Sequence, residues 1–159
     1  MKHTISVLVE NKFGVLARIA GLFSGRGFNI TSLAVGETRD FSISRMTIVV
    51  DDQGEPKVME QVEKQLNKLI DVIKVQDFTG EKCIDRELVL VKVASSTQTR
   101  SEILEIAQIF RARVVDVSVN SLTMELTGDE EKIEAFLNLL NRFGIKELVR
   151  TGKIALARS

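Results

Sequence analysis

Tryptophan and tyrosine are absent from this 159-residue chain, cysteine and proline occur once each, and neither sign of charge is in excess. Each shortage narrows the possibilities. The lone Cys83 rules out an internal disulfide, and one cysteine does not build a zinc site. Twenty-two basic residues balance 22 acidic ones. Binding to nucleic acid draws much of its affinity from a basic excess, so no nucleic-acid partner is expected. No stretch approaches the ~18 consecutive apolar residues of a membrane span. Met1 to Ser6 run straight into a strand-like pattern without the apolar core of a signal peptide. The expectation is a soluble, cytoplasmic chain with no membrane partner.

Catalytic chemistry is equally sparse. The single histidine, His3, lies at the terminus, where a frayed surface residue is the expectation. Cys83 falls in a short connecting segment, 79–85, with no histidine near it in sequence, and reads as an ordinary thiol. The acidic clusters Asp51-Asp52 and Asp129-Glu130-Glu131 suit loops or first helical turns, where they complement the helix dipole. There is no Walker A loop, no CxxC pair and no GxGxxG after a strand. No catalytic or metal-binding set of residues is expected.

What is present is a repeat. Apolar residues make up 44% of the chain, enough for a core. Residues 4–9 alternate, with Ile5, Val7 and Val9 on one face. From Gly14 the period turns helical through Val15, Ile19, Leu22 and Phe23, and Gly27 stands where a left-handed helix stop favours glycine. Segments 29–36 and 43–50 are extended around a polar turn, Thr38-Arg39-Asp40. Pro56 suits the first position of a second helix carrying Val58, Val62, Leu66 and Leu69, and 71–78 closes the unit as a strand. The order is βαββαβ.

Residues 86–156 spell that order again. RELVLVKVA is strand-like, Thr99 and Glu102 suit a capping box, and Ile103, Ile106, Ala107 and Phe110 share a helical stripe. Val114–Val119 and Leu122–Leu126 read as strands around a turn at Asn120. A helix from Asp129 and a final extended stretch broken at Gly152 complete the copy. Two α+β modules, 1–79 and 80–159, account for the pattern better than one irregular domain.

One segment has the makings of a binding site. Glu10-Asn11-Lys12-Phe13-Gly14-Val15-Leu16 places a side-chain amide and a glycine where the first helix begins. Unpaired N–H groups at a helix start attract an anion such as a carboxylate. Gly14 carries no Cβ to hold a ligand away from them. Asn11 offers both donors and an acceptor, and Asn29-Ile30 opens the next strand with a second asparagine. Such a set suits a zwitterion with an apolar side chain. Each part also has a plain structural use: Asn11 as a helix cap, Gly14 as a turn, Asn29 as a left-handed residue after the helix stop.

The run ENxxGVLxRIxxLFxxxGFNIxSL, from Glu10 to Leu33, resembles the opening of an ACT domain, a small-molecule regulatory module of amino-acid metabolism. SRMTIVV (Ser44–Val50), EQVEKQLNKLIDVIKV (Glu60–Val75), RELVLVKV (Arg86–Val93) and IFRARVVDV (Ile109–Val117) resemble, more narrowly, the small regulatory subunits of acetohydroxyacid (acetolactate) synthase. The resemblance implies two ferredoxin-like modules, the first an ACT domain that pairs edge to edge as a homodimer, with the effector at the interface. It implies valine as effector, with leucine or isoleucine as alternatives. Asn11 and the amides around Gly14, Val15 and Leu16 would come from one protomer, Asn29 and Ile30 from the other.

It further implies a large catalytic subunit as partner, with thiamine diphosphate, magnesium and FAD on that subunit and none on this chain. Activation of that subunit and feedback inhibition by valine would be the chain's role. The second module has Ser95-Ser96-Thr97-Gln98-Thr99 at the turn matching ENxxG, so by resemblance it serves assembly and signalling. The rival reading is a free-standing ACT-type sensor acting on another enzyme or on transcription. An RNA-binding module of the same order is disfavoured because Ile30, Leu33, Met46 and Ile48 stand where stacking aromatics belong. An acylphosphatase-like hydrolase is disfavoured because Arg18 lies in the helix and only Lys12 in the loop.

Overall fold

The computed structural model describes residues 1–55, 57–80 and 82–159. Pro56, expected to open the second helix, and Glu81 lie outside the described residues. The chain divides into two compact units, Met1–Ile84 with Lys153–Ser159, and Asp85–Gly152.

The first unit runs β1 (Lys2–Glu10), α1 (Val15–Gly25), β2 (Asn29–Glu37), β3 (Ile43–Asp51), α2 (Lys57–Asn67) and β4 (Val72–Asp77). Its strands form an antiparallel sheet in the order β2-β3-β1-β4. Alternation turns Ile5, Val7 and Val9 of β1 and Met46, Ile48 and Val50 of β3 to one face. Both helices lay Val15, Ile19, Phe23, Val62 and Leu66 on that face to make the core.

The second copy runs β5 (Cys83–Ala94), α3 (Arg100–Phe110), β6 (Arg113–Val117), β7 (Ser121–Gly128), α4 (Glu130–Leu140), a 3-10 turn (Asn141–Phe143) and β8 (Ile145–Arg150). The strand order β6-β7-β5-β8 repeats that of the first unit. Val89, Val91, Val93, Met124, Ile103 and Phe136 form its separate core. Both modules are therefore ferredoxin-like in topology. Beyond Gly152, whose φ is 89°, a short strand β9 (Ile154–Ala157) pairs with β5.

The helix ends follow local chemistry. After α1, Gly27 sits at φ 74°, its N–H donating to Ser24 O at 3.2 Å and that of Phe28 to Phe23 O at 3.1 Å. These two bonds are the Schellman pattern expected at that glycine. The second module closes α3 the same way, Ala112 N–H to Ala107 O at 2.8 Å, but with Arg111 at φ 58°. A Cβ in the left-handed region costs about 1–2 kcal/mol. Arg111→Gly is expected to stabilise the protein by about 0.5–1 kcal/mol, read as a higher urea midpoint at unchanged slope.

Asp129 caps α4 as expected, accepting Lys132 N–H at 2.9 Å. The Thr99–Glu102 capping box does not form. The reciprocal pair lies one turn earlier: Ser96 N–H donates to Thr99 Oγ1 at 3.0 Å and Thr99 N–H to Ser96 Oγ at 3.3 Å. Glu102 instead meets Arg142 at 3.0 Å. The Ser96–Thr99 pair takes the Thr99 hydroxyl and the Thr99 N–H that the box would have used, so the hydroxyl turns away from its own helix.

Two further expectations are corrected. Cys83 is the first residue of β5 rather than part of a short connecting segment. His3 is only 6% exposed because β1 starts at Lys2 and holds it against β3, opposite Val50. Among the described residues, no helix is long and apolar enough to cross a membrane.

Candidate functional site

The loop between β1 and α1 carries the expected polar set. Gly14 is the N-cap of α1, at φ 84° and ψ −7°, and no side chain caps the helix. A glycine there leaves first-turn amides such as that of Leu16 to solvent or a ligand, while Val15 N–H donates to Lys12 O at 3.4 Å. Val15 turns its side chain into the core, and Leu16 is exposed. A Cβ on Gly14 would meet only Arg18 Nη2, at 4.0 Å. The guanidinium thus stands beside the open helix start, where it also pairs with Asp71. Lys12 is held by Glu10 at 2.8 Å, and that hydrogen bond raises the ammonium above its usual pKa.

Asn11 does not cap the helix. Its side-chain amide donates to Phe41 O at 2.9 Å and to Glu37 Oε1 at 3.3 Å, which fastens the loop to the β2–β3 hairpin. The backbone adds Asn11 N–H to Ser42 O at 2.8 Å. The hairpin is stiffened from within by Asp40, which accepts from Ser42 N–H at 3.0 Å and Ser42 Oγ at 2.6 Å. Two phenylalanines flank this junction in full view of solvent, Phe13 at 103% and Phe41 at 75% exposure.

The helix start and Arg18 thus supply donors, and Glu37 with the Asn11 side-chain carbonyl supplies acceptors at the adjoining hairpin. That is the polarity an α-carboxylate and an α-ammonium require. Arg18, Glu37 and the Phe41 carbonyl are additions to the expected set. Only Arg18 had a signal, its four-residue spacing from Gly14.

Asn29 and Ile30 are elsewhere in the unit. Asn29 begins β2 opposite Asp51 and is exposed, while Ile30 packs partly against the core. The only described non-glycine residues at positive φ are Gln53 and Arg111, so Asn29 is an ordinary strand residue. The Asn11–Gly14 loop sits near Glu37, at the other end of the nine-residue β2. The two halves of the set are about 25 Å apart at ~3.3 Å per strand residue.

In the second module the matching turn is closed. The Ser96–Thr99 pair occupies it, and Arg100 Nη2 donates to Ser118 O at 2.7 Å with its Nε on Ser95 Oγ at 3.1 Å.

One other polar cluster has the outline of a catalytic relay. His3 Nε2 meets Asp52 Oδ2 at 2.7 Å and His3 Nδ1 meets Thr79 Oγ1 at 2.9 Å. A nucleophile must surrender its proton to the imidazole. Here Thr79 Oγ1 lies 2.5 Å from Asp77 Oδ1 and donates to it, and His3 is buried. The cluster is structural: it ties the start of β1 to the ends of β3 and β4. Asp52 lies in the loop after β3, as expected, but is buried there by this cluster.

Its hydrogen bond from His3, then those from the N-terminal amine and Gly54 N–H, hold its carboxyl far below the ordinary 3.8. A carboxyl with a depressed folded-state pKa contributes stability that is complete above its unfolded value. That contribution drains away as pH falls below about 4. Asp52→Asn is therefore expected to flatten the loss of stability between about pH 4 and pH 2, measured by urea unfolding at stepped pH. Equal slopes in parent and variant would count against the cluster. Among the described residues, no group of three His, Cys, Asp or Glu side chains could hold a metal ion.

Comparison with known proteins gives these features a family. A family model described as an AHAS small subunit-like ACT domain matches residues 5–74, and one described as the small subunit of acetolactate synthase matches residues 86–159. A probable acetolactate synthase small subunit from Archaeoglobus fulgidus is 60% identical over 158 residues, covering 99% of this chain and 98% of that protein. The acetolactate synthase small subunit of Mycobacterium leprae is 55% identical over 156 residues, 98% of this chain and 91% of its own length. The crystal structure of the acetolactate synthase small subunit from Thermotoga maritima superposes with a TM-score of 0.87 at 40% identity, over 100% of this chain and 98% of that one. Matched along its whole length in sequence and in fold, this chain belongs to the small, regulatory subunits of acetolactate synthase, with an ACT domain as its first module.

Proposed function

We propose that the chain senses valine, with leucine or isoleucine as alternatives, and conveys its level to a separate catalytic subunit that it otherwise activates. The observation that carries this reading is the uncapped start of α1 at Gly14. Arg18 stands beside it, and Asn11 and Glu37 face each other across the adjoining hairpin. Helix amides and a guanidinium suit the effector's carboxylate, and the acceptors suit its ammonium. Affinity in the millimolar to micromolar range, about −4 to −8 kcal/mol, is what such a set supports.

The distance between Asn11 and Asn29 supports a site made by two protomers. Strand β2 is an edge strand with one side unpaired in its sheet. If it pairs antiparallel with β2 of a second copy, the partner's Asn29–Ile30 end arrives beside the Glu37 end of the first. A pocket shared in this way changes shape whenever the two copies change pose, which gives valine a differential affinity for two states. On this reading thiamine diphosphate, magnesium and FAD reside on the catalytic subunit, and the second module serves assembly and signalling.

Reconstitution tests the proposal. Adding the chain to its catalytic subunit should raise acetolactate synthesis, and valine should then lower it in a saturable way. Activation without any valine response would leave a regulatory subunit with a different effector. No effect on the catalytic subunit would favour a free-standing sensor. Asn29→Ala should weaken calorimetric valine affinity by about 1.5–3 kcal/mol, the size of a lost hydrogen bond to a charged group. An unaltered affinity would remove Asn29 from the site.

A further inference from the structure

The helices of the first unit cover one face of its sheet, and the residues of the other face should be partly wet. Ser6, Thr47 and Val49 point there by alternation with the core residues. They are nevertheless only 2%, 2% and 3% exposed. The C-terminal segment reaches this face. Lys153 N–H donates to Ser32 Oγ at 2.9 Å, and Ser32 is the register partner of Val49. Ala155, two residues on, is buried. Arg158 N–H donates to Lys82 O at 3.1 Å and fixes the far end. Lys153–Ser159 thus belongs to the first unit, although it follows the second in the chain.

The point of attachment matters. Ser32 lies at the irregularity of β2, where the register with β3 shifts between Ile30 and Ser32. The same stretch is pinned from its other side by Thr31 Oγ1, which donates to Val49 O at 3.2 Å. A bulge bends its strand and re-aims the residues beside it, so a bond at the bulge bears on how the end of β2 is aimed. The end in question carries Asn29 and Ile30.

Resting on the proposed valine site, we infer that Lys153–Ser159 is a strap on the first module's sheet. Its bond to Ser32 passes a displacement of β2, caused by the effector, into the C-terminal segment. The segment reads the pose of the strand that the ligand touches and is continuous with the chain of the second module. Neither Ser32 nor Lys153 touches the effector on this account, so losing the strap separates inhibition from binding.

The test uses the full chain, its Ser32→Ala variant and a form ending at Gly152. Amide hydrogen exchange from Asn29 to Val35 should quicken about 5-fold in Ser32→Ala, the effect of one net hydrogen bond, and more in the shortened form. In the holoenzyme, the valine concentration for half-inhibition should rise at least about 5-fold, the lower end of ordinary coupling. Calorimetric valine affinity should move much less. Unchanged exchange across β2 in both variants would overturn the strap, whether or not valine is the effector. Inhibition and affinity falling in step would overturn its transmitting role. A parent chain that binds no valine would sink the valine reading instead, and exchange would still decide the strap.

Discussion

Gly14→Asp should abolish the valine response while leaving activation of the catalytic subunit in place. Three effects act together at that position. The backbone sits at φ 84°, where a Cβ costs about 1–2 kcal/mol. The new carboxylate would compete for Arg18, whose Nη2 is 4.0 Å from the Cβ position. It would also set a like charge against the ligand's carboxylate at the open helix start. Losing one charge-assisted contact alone costs about 1.5–3 kcal/mol, and the three effects together should leave no valine binding measurable by calorimetry. Inhibition assays and calorimetry read the two effects separately. Inhibition by valine at the parent concentration would contradict the assignment of the pocket.

Phe23→Ala should have the largest effect on stability. Phe23 is fully buried in the first core and meets Phe28 edge to face, with ring centroids 6.4 Å apart. Emptying such a site costs about 3–5 kcal/mol, against a typical total of 5–15 kcal/mol for a domain. The effect reaches function because Phe23 anchors α1, the helix whose first turn forms half of the candidate site. Urea unfolding should show the shift, and valine response should disappear at a lower temperature than in the parent. A loss below about 1 kcal/mol would mean that the core closes over the gap more readily than its packing implies.

The two modules were legible in the sequence because their faces are periodic. Ile5, Val7 and Val9 fall on one face of an alternating strand, and Val15, Ile19 and Phe23 keep a helical stripe; both patterns reappear as the observed core. Gly27 was legible as a helix stop because only one backbone region demands glycine there. Most of the errors come from partners remote in sequence, and one from a local competitor. His3 has no local signal of burial, since its partners Asp52 and Thr79 are 49 and 76 residues away. Cys83 joins β5 ahead of the alternating run that begins near Arg86, and the sequence around it shows no strand pattern. Thr99 followed by Glu102 fits a capping box on paper, but Ser96 competes for the same hydroxyl.

The candidate site divides along the same line. Asn11 and Gly14 stand out because a helix start concentrates unpaired amides, a property readable in seven residues. Glu37 and Phe41 reach Asn11 from across the sheet, and no spacing rule connects 11 with 37 or 41. Asn29 is readable as a polar residue opening a strand. On the proposed reading its part in the site depends on a second copy of the chain, which one sequence does not display.

The central claim is that the helix start at Gly14 holds a branched-chain amino acid, and isothermal calorimetry tests it most directly. The purified chain would be titrated with valine, leucine, isoleucine and serine, alongside Gly14→Asp. Saturable binding of valine, weaker binding of leucine or isoleucine, none of serine and none by the variant is the expected result. Valine binding that survives Gly14→Asp, or a preference for serine, would contradict it.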